Sequence, residues 1–365
     1  MLSTHADRLE RWLGPQVETL VQAGKGWHGP PIPVVGVPGN VFLRGGESGG
    51  DFVGPIDGGR VGNLYDFAIQ RMKAANRRWL RNQTRSCNAG FASLGDLISE
   101  ATNGKKRRFT YSKVGVTGVI GATSTLWYEG NQPSGGAVAA AAPGGTTCND
   151  ATVGSFPFTN PTGGDTQHLT RWDGFAGVAA NTLMLYDRLF AVEKTMNSTA
   201  TEAVTGVPTR YQSADTAPGN FLFIETRAAL PATAHTWTVC TYTDQDGNPS
   251  TLPTVTGNSG GIAKRLDQPL SQWFCPLESG DTGIRELTQM QCSALVASGS
   301  IEFVIGHPLA VLAHPIINMM WTMDGVTGAF NLERVYDDAC LAFLELLKPA
   351  TTATTYTGIF ETVSG

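Results

Sequence analysis

Residues 236–251 read TWTVCTYTDQDGNPST, and this stretch decides the fold class. Its first half is rich in threonine, tyrosine, valine and tryptophan, which favour β-strands. Its second half, DQDGNPST, is rich in the residue types that form turns. Together the two halves predict a β-hairpin whose turn contains Asp246 and Gly247, with Gly247 at a position of positive φ.

Other segments of strand-like composition surround this hairpin. They are RRFTYSKVGV (107–116), TLMLYDRLF (182–190), FLFIET (221–226), SIEFVIGHPLAVL (300–312) and TYTGIFET (355–362). In this part of the chain only residues 336–347 show a helix-like pattern, and their assignment is ambiguous. Residues 107–365 are therefore predicted to form a mainly β body, an antiparallel β-sandwich or jelly-roll-like domain.

Residues 1–62 form a different region, predicted to begin with short helices and to continue as an extended arm. Ser3 or Thr4 can cap a first helix, which Gly14 and Pro15 would end. Residues 24–62 are dominated by glycine and proline, so they cannot bury enough surface alone to offset the entropy lost on ordering. We expect neighbouring subunits to order this assembly arm by contacting its apolar side chains, which include Trp27, Ile32, Val35, Val41, Phe42 and Phe52.

A basic helical connector is predicted over residues 63–106. Apolar residues recur at helical spacing between residues 63 and 81, and the other face carries Arg71, Arg77, Arg78 and Arg81. One interpretation is a solvated amphipathic helix. The alternative is a basic face that meets an acidic partner or nucleic acid.

The composition excludes several classes of function. Charged residues make up 16% of the 365-residue chain, against roughly 25% in an average soluble domain. The net charge of −5 gives no global basic field that would attract nucleic acid or a membrane. The first ten residues lack the apolar segment of a signal peptide, and the chain has no apolar run long enough to span a bilayer. The six cysteines are interpreted as free, mostly buried thiols, the alternative being disulfides formed after assembly.

Two short motifs suggest chemistry, and neither is complete. GNSGG (257–261) resembles the surroundings of a trypsin-like nucleophile, here Ser259, but His235 lies only 24 residues upstream. That gap cannot hold the rest of such a protease, and the preceding TLPTVT is not the buried strand of a nucleophile elbow. DQDGN (244–248) begins like a calcium loop, but proline and valine occupy positions where the EF-hand pattern has glycine and glutamate. We therefore predict no catalytic residue, no metal site and no cofactor.

Four segments carry a further signal in their order and spacing. They are LTRWDGFAGVAANTLMLYDRLF (169–190), TVCTYTDQDGNPST (238–251), PLESGDTGIRELTQMQCS (276–293) and RVYDDACLAFL (334–344). Together they resemble a group of tailed-bacteriophage virion structural proteins, over roughly residues 107–365. The resemblance implies a place in the virion and leaves open the capsid shell, its decoration or the tail. It also leaves open an HK97-like α+β capsid fold, whose long spine helix could only be residues 63–81.

The sequence thus predicts a structural component of a bacteriophage virion, a capsid shell or capsid decoration protein that acts through subunit–subunit contacts. Its partners would be copies of itself and other virion proteins, with incidental contact with packaged DNA and none with membranes. It would be made in the host cytoplasm and reside in the virion. One alternative is a glycan-binding head or tail adhesion module that uses exposed aromatic residues, among Trp127, Tyr128, Trp172 and Trp237. The other is a serine hydrolase that uses Ser259.

Overall fold

The computed structural model describes residues 91, 93–178, 180–326, 332–346 and 353–365, together with the backbone of three short strands before residue 90. The chain divides into two compact units, Met1–Asn88 and Ala89–Gly365. In the first unit the three strands pair antiparallel in chain order: β1 (Ile32–Pro33), β2 (Phe42–Arg44) and β3 (Asp51–Phe52). The rest of the predicted arm and the predicted helix over residues 63–81 lie outside the described residues.

The second unit begins with a short helix and continues as strands. Helix α1 (Leu94–Glu100) follows Ser93, whose hydroxyl oxygen accepts a 3.1 Å hydrogen bond from the backbone N–H of Asp96. A π-helical turn, Ala101–Lys105, leads into the first strand of the body. The strands are β4 (Lys106–Val114), β5 (Thr123–Thr125), β6 (Asn131–Gln132), β7 (Thr146–Thr147), β8 (Gln167–Ala176), β9 (Thr182–Thr195), β10 (Glu202–Ala203), β11 (Phe221–Ala228), β12 (Thr236–Asp244), β13 (Pro249–Thr251), β14 (Val255–Thr256), β15 (Ile284–Cys292), β16 (Ser300–Ala313), β17 (Met320–Asp324), β18 (Arg334–Val335), β19 (Leu341–Leu346) and β20 (Thr355–Ser364).

These strands form three antiparallel sheets. The long sheet has the order β11-β16-β9-β19-β5, with β7 also paired to β9. Cover sheet 1 has the order β17-β8-β20-β4-β6, with β18 paired to β8. Cover sheet 2 has the order β10-β15-β12-β13, with β14 paired to β12. The predicted mainly β fold of sandwiched antiparallel sheets is confirmed.

The two cover sheets pack on the long sheet through separate hydrophobic cores. The first core joins cover sheet 1 to the long sheet and is rich in stacked rings, such as Trp172 on Phe343 with ring centroids 5.3 Å apart. The second core joins cover sheet 2 to the long sheet, where Trp237 and Phe303 pack edge to face with ring centroids 4.8 Å apart. A third apolar cluster lies between loops and the long sheet. In it, Trp127 and Leu266 pack on a separate set of long-sheet side chains, such as Tyr186 and Val304.

Within residues 336–347 the structure has a strand, β19 (Leu341–Leu346), preceded by a turn at Asp337 and Asp338, and no helix among the described residues of this range. All six residues of β19 are buried, because the strand lies inside the long sheet and is covered on both faces. A strand buried on both faces lacks the alternation of polar and apolar residues. Its continuous apolar pattern therefore resembled that of a buried helix.

Candidate assembly surface

The residues predicted to make assembly contacts fall mostly outside the described part of the chain. Three of the arm's apolar anchors lie on the short strands of the first unit: Ile32 on β1, Phe42 on β2 and Phe52 on β3. The other anchors (Trp27, Val35 and Val41) and the basic residues (Arg71, Arg77, Arg78 and Arg81) lie outside the described residues. Their assembly role stays a prediction.

The turn predicted at Asp246 and Gly247 is present between β12 and β13, whose register pairs Thr243 with Pro249. Gly247 has φ of +92°, the conformation predicted for it from the sequence. One carboxylate oxygen of Asp244 accepts hydrogen bonds of 2.8 Å from the backbone N–H groups of Asp246 and Asn248. Hydrogen bonds of this kind define an Asx turn. The carboxylate of Asp244 therefore stabilises the DQDGN loop itself.

Ser259 lies exposed in the loop after β14, and the structure gives His235 other partners. One ring nitrogen of His235 lies 3.0 Å from the carbonyl oxygen of Thr233, and the other lies 2.9 Å from a carboxylate oxygen of Asp267. Both ring nitrogens therefore have acceptor neighbours other than Ser259, so His235 is not placed as the base of a serine nucleophile. Burial lowers the pKa of His235, but the hydrogen bond and charge of Asp267 raise it more, so the net shift is upward.

The aromatic residues offered for glycan binding lie inside the protein. Trp127, Trp172 and Trp237 are each at most 1% exposed. Tyr128 is half-buried and donates its hydroxyl hydrogen to Glu225 at 3.1 Å. The alternative of an exposed glycan platform is therefore wrong for the three tryptophans, because each is buried in a hydrophobic cluster of the body.

A buried ionic centre lies on the long sheet and was not predicted from the sequence. Arg188 on β9 donates from one terminal nitrogen to Glu225 on β11 at 2.6 Å and to Glu302 on β16 at 2.7 Å. All three side chains are at most 1% exposed. Their strands are neighbours in the sheet, so the centre links three strands through side chains as well as backbone.

The surroundings of this centre are aromatic and closed to solvent. The Arg188 guanidinium lies 4.6 Å from the ring centroid of Trp127, a cation–π contact. Glu302 also accepts a 2.9 Å hydrogen bond from the backbone N–H of Ala139. Burial raises the pKa of Glu302 to about 7, although the Arg188 cation opposes this rise. The only sequence signal for the centre was the presence of charged residues within apolar strand segments, a pattern that requires internal partners.

A patch of exposed apolar side chains lies at the end of β8 and the start of β17. This apolar patch consists of Val178, Ile316, Ile317, Met319 and Met320, each between 44% and 57% exposed. Backbone contacts bring the segments together, since Asn318 donates its N–H to the carbonyl oxygen of Ala176 at 2.9 Å and Met320 pairs with Phe175. The run IINMMW (316–321) was the sequence signal for this patch. A strand with one buried face buries only alternate residues, so a nearly continuous apolar run leaves some of its side chains exposed.

The outer face of cover sheet 1 changes character along its strands. Near the apolar patch its side chains are Met320 and the half-buried Phe175. Towards the other end it carries ion pairs, Arg171 with Asp173 at 2.9 Å and Arg108 with Glu361 at 3.0 Å. β17 is an edge strand of this sheet, and within the described residues it pairs only with β8. An open edge with apolar side chains is a surface that another chain can cover.

The chain enters the second unit at the end of cover sheet 1 that is remote from the apolar patch. Phe91 lies against His168 near the start of β8, with ring centroids 5.5 Å apart, and against Gly365 at the chain end. The apolar patch lies beyond Ala176, where β8 ends. At about 3.3 Å per strand residue, the two places are roughly 30 Å apart.

Comparisons with known proteins give little further information. No family model matches the chain, and no curated protein matches it. The structure of the Gt strain of infectious bursal disease virus covers 71% of this chain and 80% of its own, with 9% identity and a TM-score of 0.15. The VP2 subviral particle of infectious bursal disease virus covers 71% of this chain and 41% of its own, with 12% identity and a TM-score of 0.10. Scores this low carry no argument about fold or function.

Other features concern the described residues alone. Five cysteines, Cys148, Cys240, Cys275, Cys292 and Cys340, are free and buried, as predicted, and Cys87 lies outside the described residues. No helix among those described has the length and apolar character needed to cross a bilayer. Across the same residues, no group of three or more His, Cys, Asp or Glu side chains is placed to hold a metal ion.

Proposed function

We propose that this protein is a structural component of a bacteriophage virion, a capsid shell or capsid decoration protein that acts through subunit–subunit contacts. The observation that carries the proposal is the apolar patch beside β17, which is an edge strand among the described residues. Its five large apolar side chains surround one strand end, a concentration that marks a surface covered by another chain. The motif resemblance over residues 107–365 supports the phage virion as the assembly.

The patch is too small to hold two subunits together by itself. Its five side chains are about half exposed, and covering them would contribute about 1 kcal/mol each, roughly 5 kcal/mol in total. Association costs an estimated 4–15 kcal/mol in lost translational and rotational freedom. A stable contact therefore needs more apolar area than the patch supplies, or many such contacts in a closed array.

The predicted assembly arm of a second copy of this chain is the occupant we assign to the patch. The arm offers apolar side chains, such as Trp27, Ile32 and Phe42, spaced along a glycine- and proline-rich segment. A surface formed by valine, isoleucine and methionine suits such side chains. One subunit would then offer its arm to a neighbour and receive the arm of another neighbour on its own apolar patch. Such a head-to-tail contact uses two different surfaces and builds rings or extended arrays, as a shell requires.

The experiment compares assembly of the full chain with that of a patch variant, by sedimentation velocity and negative-stain microscopy. Met320→Asp places a charge on the patch and should abolish assembly while leaving a folded monomer. Leu295→Asp is the matched control, because Leu295 is equally exposed, at 58% against 57% for Met320, in the loop before β16. The control should assemble like the unaltered protein.

Deleting residues 1–62 tests the arm itself. The truncated chain should stay folded by circular dichroism and should fail to assemble. Normal assembly of either the truncated chain or the Met320→Asp variant would overturn the assigned contact. A full chain that remains monomeric in virion-like buffer and does not bind phage shells would overturn the virion role.

A further inference from the structure

Two segments far apart in the sequence lie end to end along one edge of β9. β16 occupies the other edge of β9 over its whole length. Along the opposite edge of β9, β19 pairs with residues 182–187 and β7 pairs with Phe190 and Ala191. β7 and β19 therefore behave like two pieces of one interrupted strand.

A cysteine lies at the meeting end of each piece. The backbone N–H of Cys148 donates to the carbonyl oxygen of Leu189 at 3.0 Å, just after β7. The carbonyl oxygen of Cys340 accepts from the backbone N–H of Arg188 at 2.7 Å, just before β19. The two cysteines therefore lie opposite adjacent residues of β9, Leu189 and Arg188, and are neighbours in space.

Their side chains share the same environment. Both belong to the third apolar cluster, and each thiol affects the pKa of the other. The Cys148 thiol also donates a 3.7 Å hydrogen bond to the carbonyl oxygen of Thr146. The hydrogen bond from Cys340 lowers the pKa of Cys148, helped by the Arg188 cation and opposed by burial. Burial raises the pKa of Cys340. Cys148 is therefore the thiol more readily converted to a nucleophilic thiolate.

We propose that Cys148 and Cys340 form an intramolecular disulfide when the reduced protein meets a small disulfide oxidant such as oxidised glutathione. The Cys148 thiolate attacks one glutathione sulfur, which forms a mixed disulfide and releases one glutathione thiolate. The Cys340 thiolate then attacks the Cys148 sulfur and displaces the second glutathione. The two protons of the protein thiols end on the two glutathione thiols, and the oxidant's two sulfurs accept the two electrons.

Access to the pair depends on the segment that precedes Cys148. Residues 140–147 contain no buried side chain, although Ala142 packs on the rim of the second core. Opening of this edge segment is the route by which the pair meets solvent. The reaction is therefore expected to be slow and to occur once per chain. This inference does not depend on the virion role, because it rests only on the fold of the second unit.

The other described cysteines provide internal controls. Cys240, Cys275 and Cys292 lie in the second hydrophobic core. Burial raises the pKa of Cys240 to about 12, and it raises the pKa of Cys275 and Cys292 as well. These thiols are expected to stay reduced under conditions that link Cys148 to Cys340.

The test treats the purified full chain with oxidised glutathione and a matched sample with dithiothreitol. Free thiols are then blocked with a maleimide under denaturing, acidic conditions, and peptides are mapped by mass spectrometry. We expect a peptide pair joined through Cys148 and Cys340, with an intact mass about 2 Da below that of the reduced chain. The oxidised protein should melt roughly 5–10 °C higher, since the bond closes a very long loop.

Variants assign the bond. Cys340→Ala should abolish both the linked peptide and the rise in melting temperature, whereas Cys240→Ala should retain both. The peptide map of the unaltered chain decides the question even if a variant fails to fold. Recovery of Cys148 and Cys340 as blocked free thiols after prolonged oxidation, or a different pairing such as one with Cys87, would overturn the proposal.

Discussion

Replacing Arg188 with methionine removes the cation that two buried carboxylates share. Glu225 and Glu302 lie 2.6 and 2.7 Å from the same guanidinium nitrogen, and neither side chain is exposed. Methionine keeps most of the apolar contact with Trp127 but leaves two carboxylates facing each other in the interior. Breaking a buried ion pair by removing one partner costs about 3–5 kcal/mol. At about 2–4 °C per kcal/mol, the melting temperature should fall by roughly 6–20 °C at pH 8.

The pH dependence of this loss identifies its cause. Burial already raises the pKa of Glu302 to about 7, above the ordinary value of 4.5, and losing the cation would raise it further. Between the unfolded and folded pKa values the folded state binds more protons, so stability rises as the pH falls through that window. The deficit of Arg188→Met should therefore shrink between pH 8 and pH 6.

Differential scanning calorimetry at both pH values measures the effect. The matched control is Arg171→Met, which removes an exposed pairing with Asp173 and should change the melting temperature by less than about 2 °C. Adding Glu225→Gln and Glu302→Gln to Arg188→Met removes the unpaired charges and should recover much of the loss. An Arg188→Met protein that melts with the unaltered chain at pH 8, or whose deficit is the same at pH 6, would refute the reasoning.

Three further predictions concern separate parts of the body. Burial raises the pKa of Glu345 to about 7, so the folded protein binds a proton here before the unfolded chain does and gains stability as the pH falls from 8 to 5.5. Glu345→Gln should reduce this gain in melting temperature, and an unchanged dependence of melting temperature on pH would contradict the prediction. Gly247→Val should destabilise the protein by roughly 1–3 kcal/mol, because valine is strained at the φ of +92°. Gly130→Val is its control, since a side chain there meets open space, and equal melting temperatures for the two variants would remove the strain argument. A fluorophosphonate probe should leave the protein unlabelled, and labelling that disappears in Ser259→Ala would revive the hydrolase hypothesis.

The sequence by itself determined the fold class and the hairpin. The β-rich composition of residues 236–244 and the turn residues after them act over a few neighbouring positions, so they need no tertiary context. Gly247 shows this directly, because its positive φ follows from the local turn. The pattern failed at β19, since burial on both faces removes the alternation by which a strand is distinguished from a helix.

Only the tertiary structure decided which side chains are buried, which are exposed and which meet. The three tryptophans proposed for glycan binding belong to the cores, and the apolar patch around Met320 belongs to the surface, although both are apolar in sequence. Arg188 meets Glu302, and Cys148 meets Cys340, only because strands distant in the chain are neighbours in the long sheet. Burial and pairing depend on long-range packing, and local propensity carries no information about it.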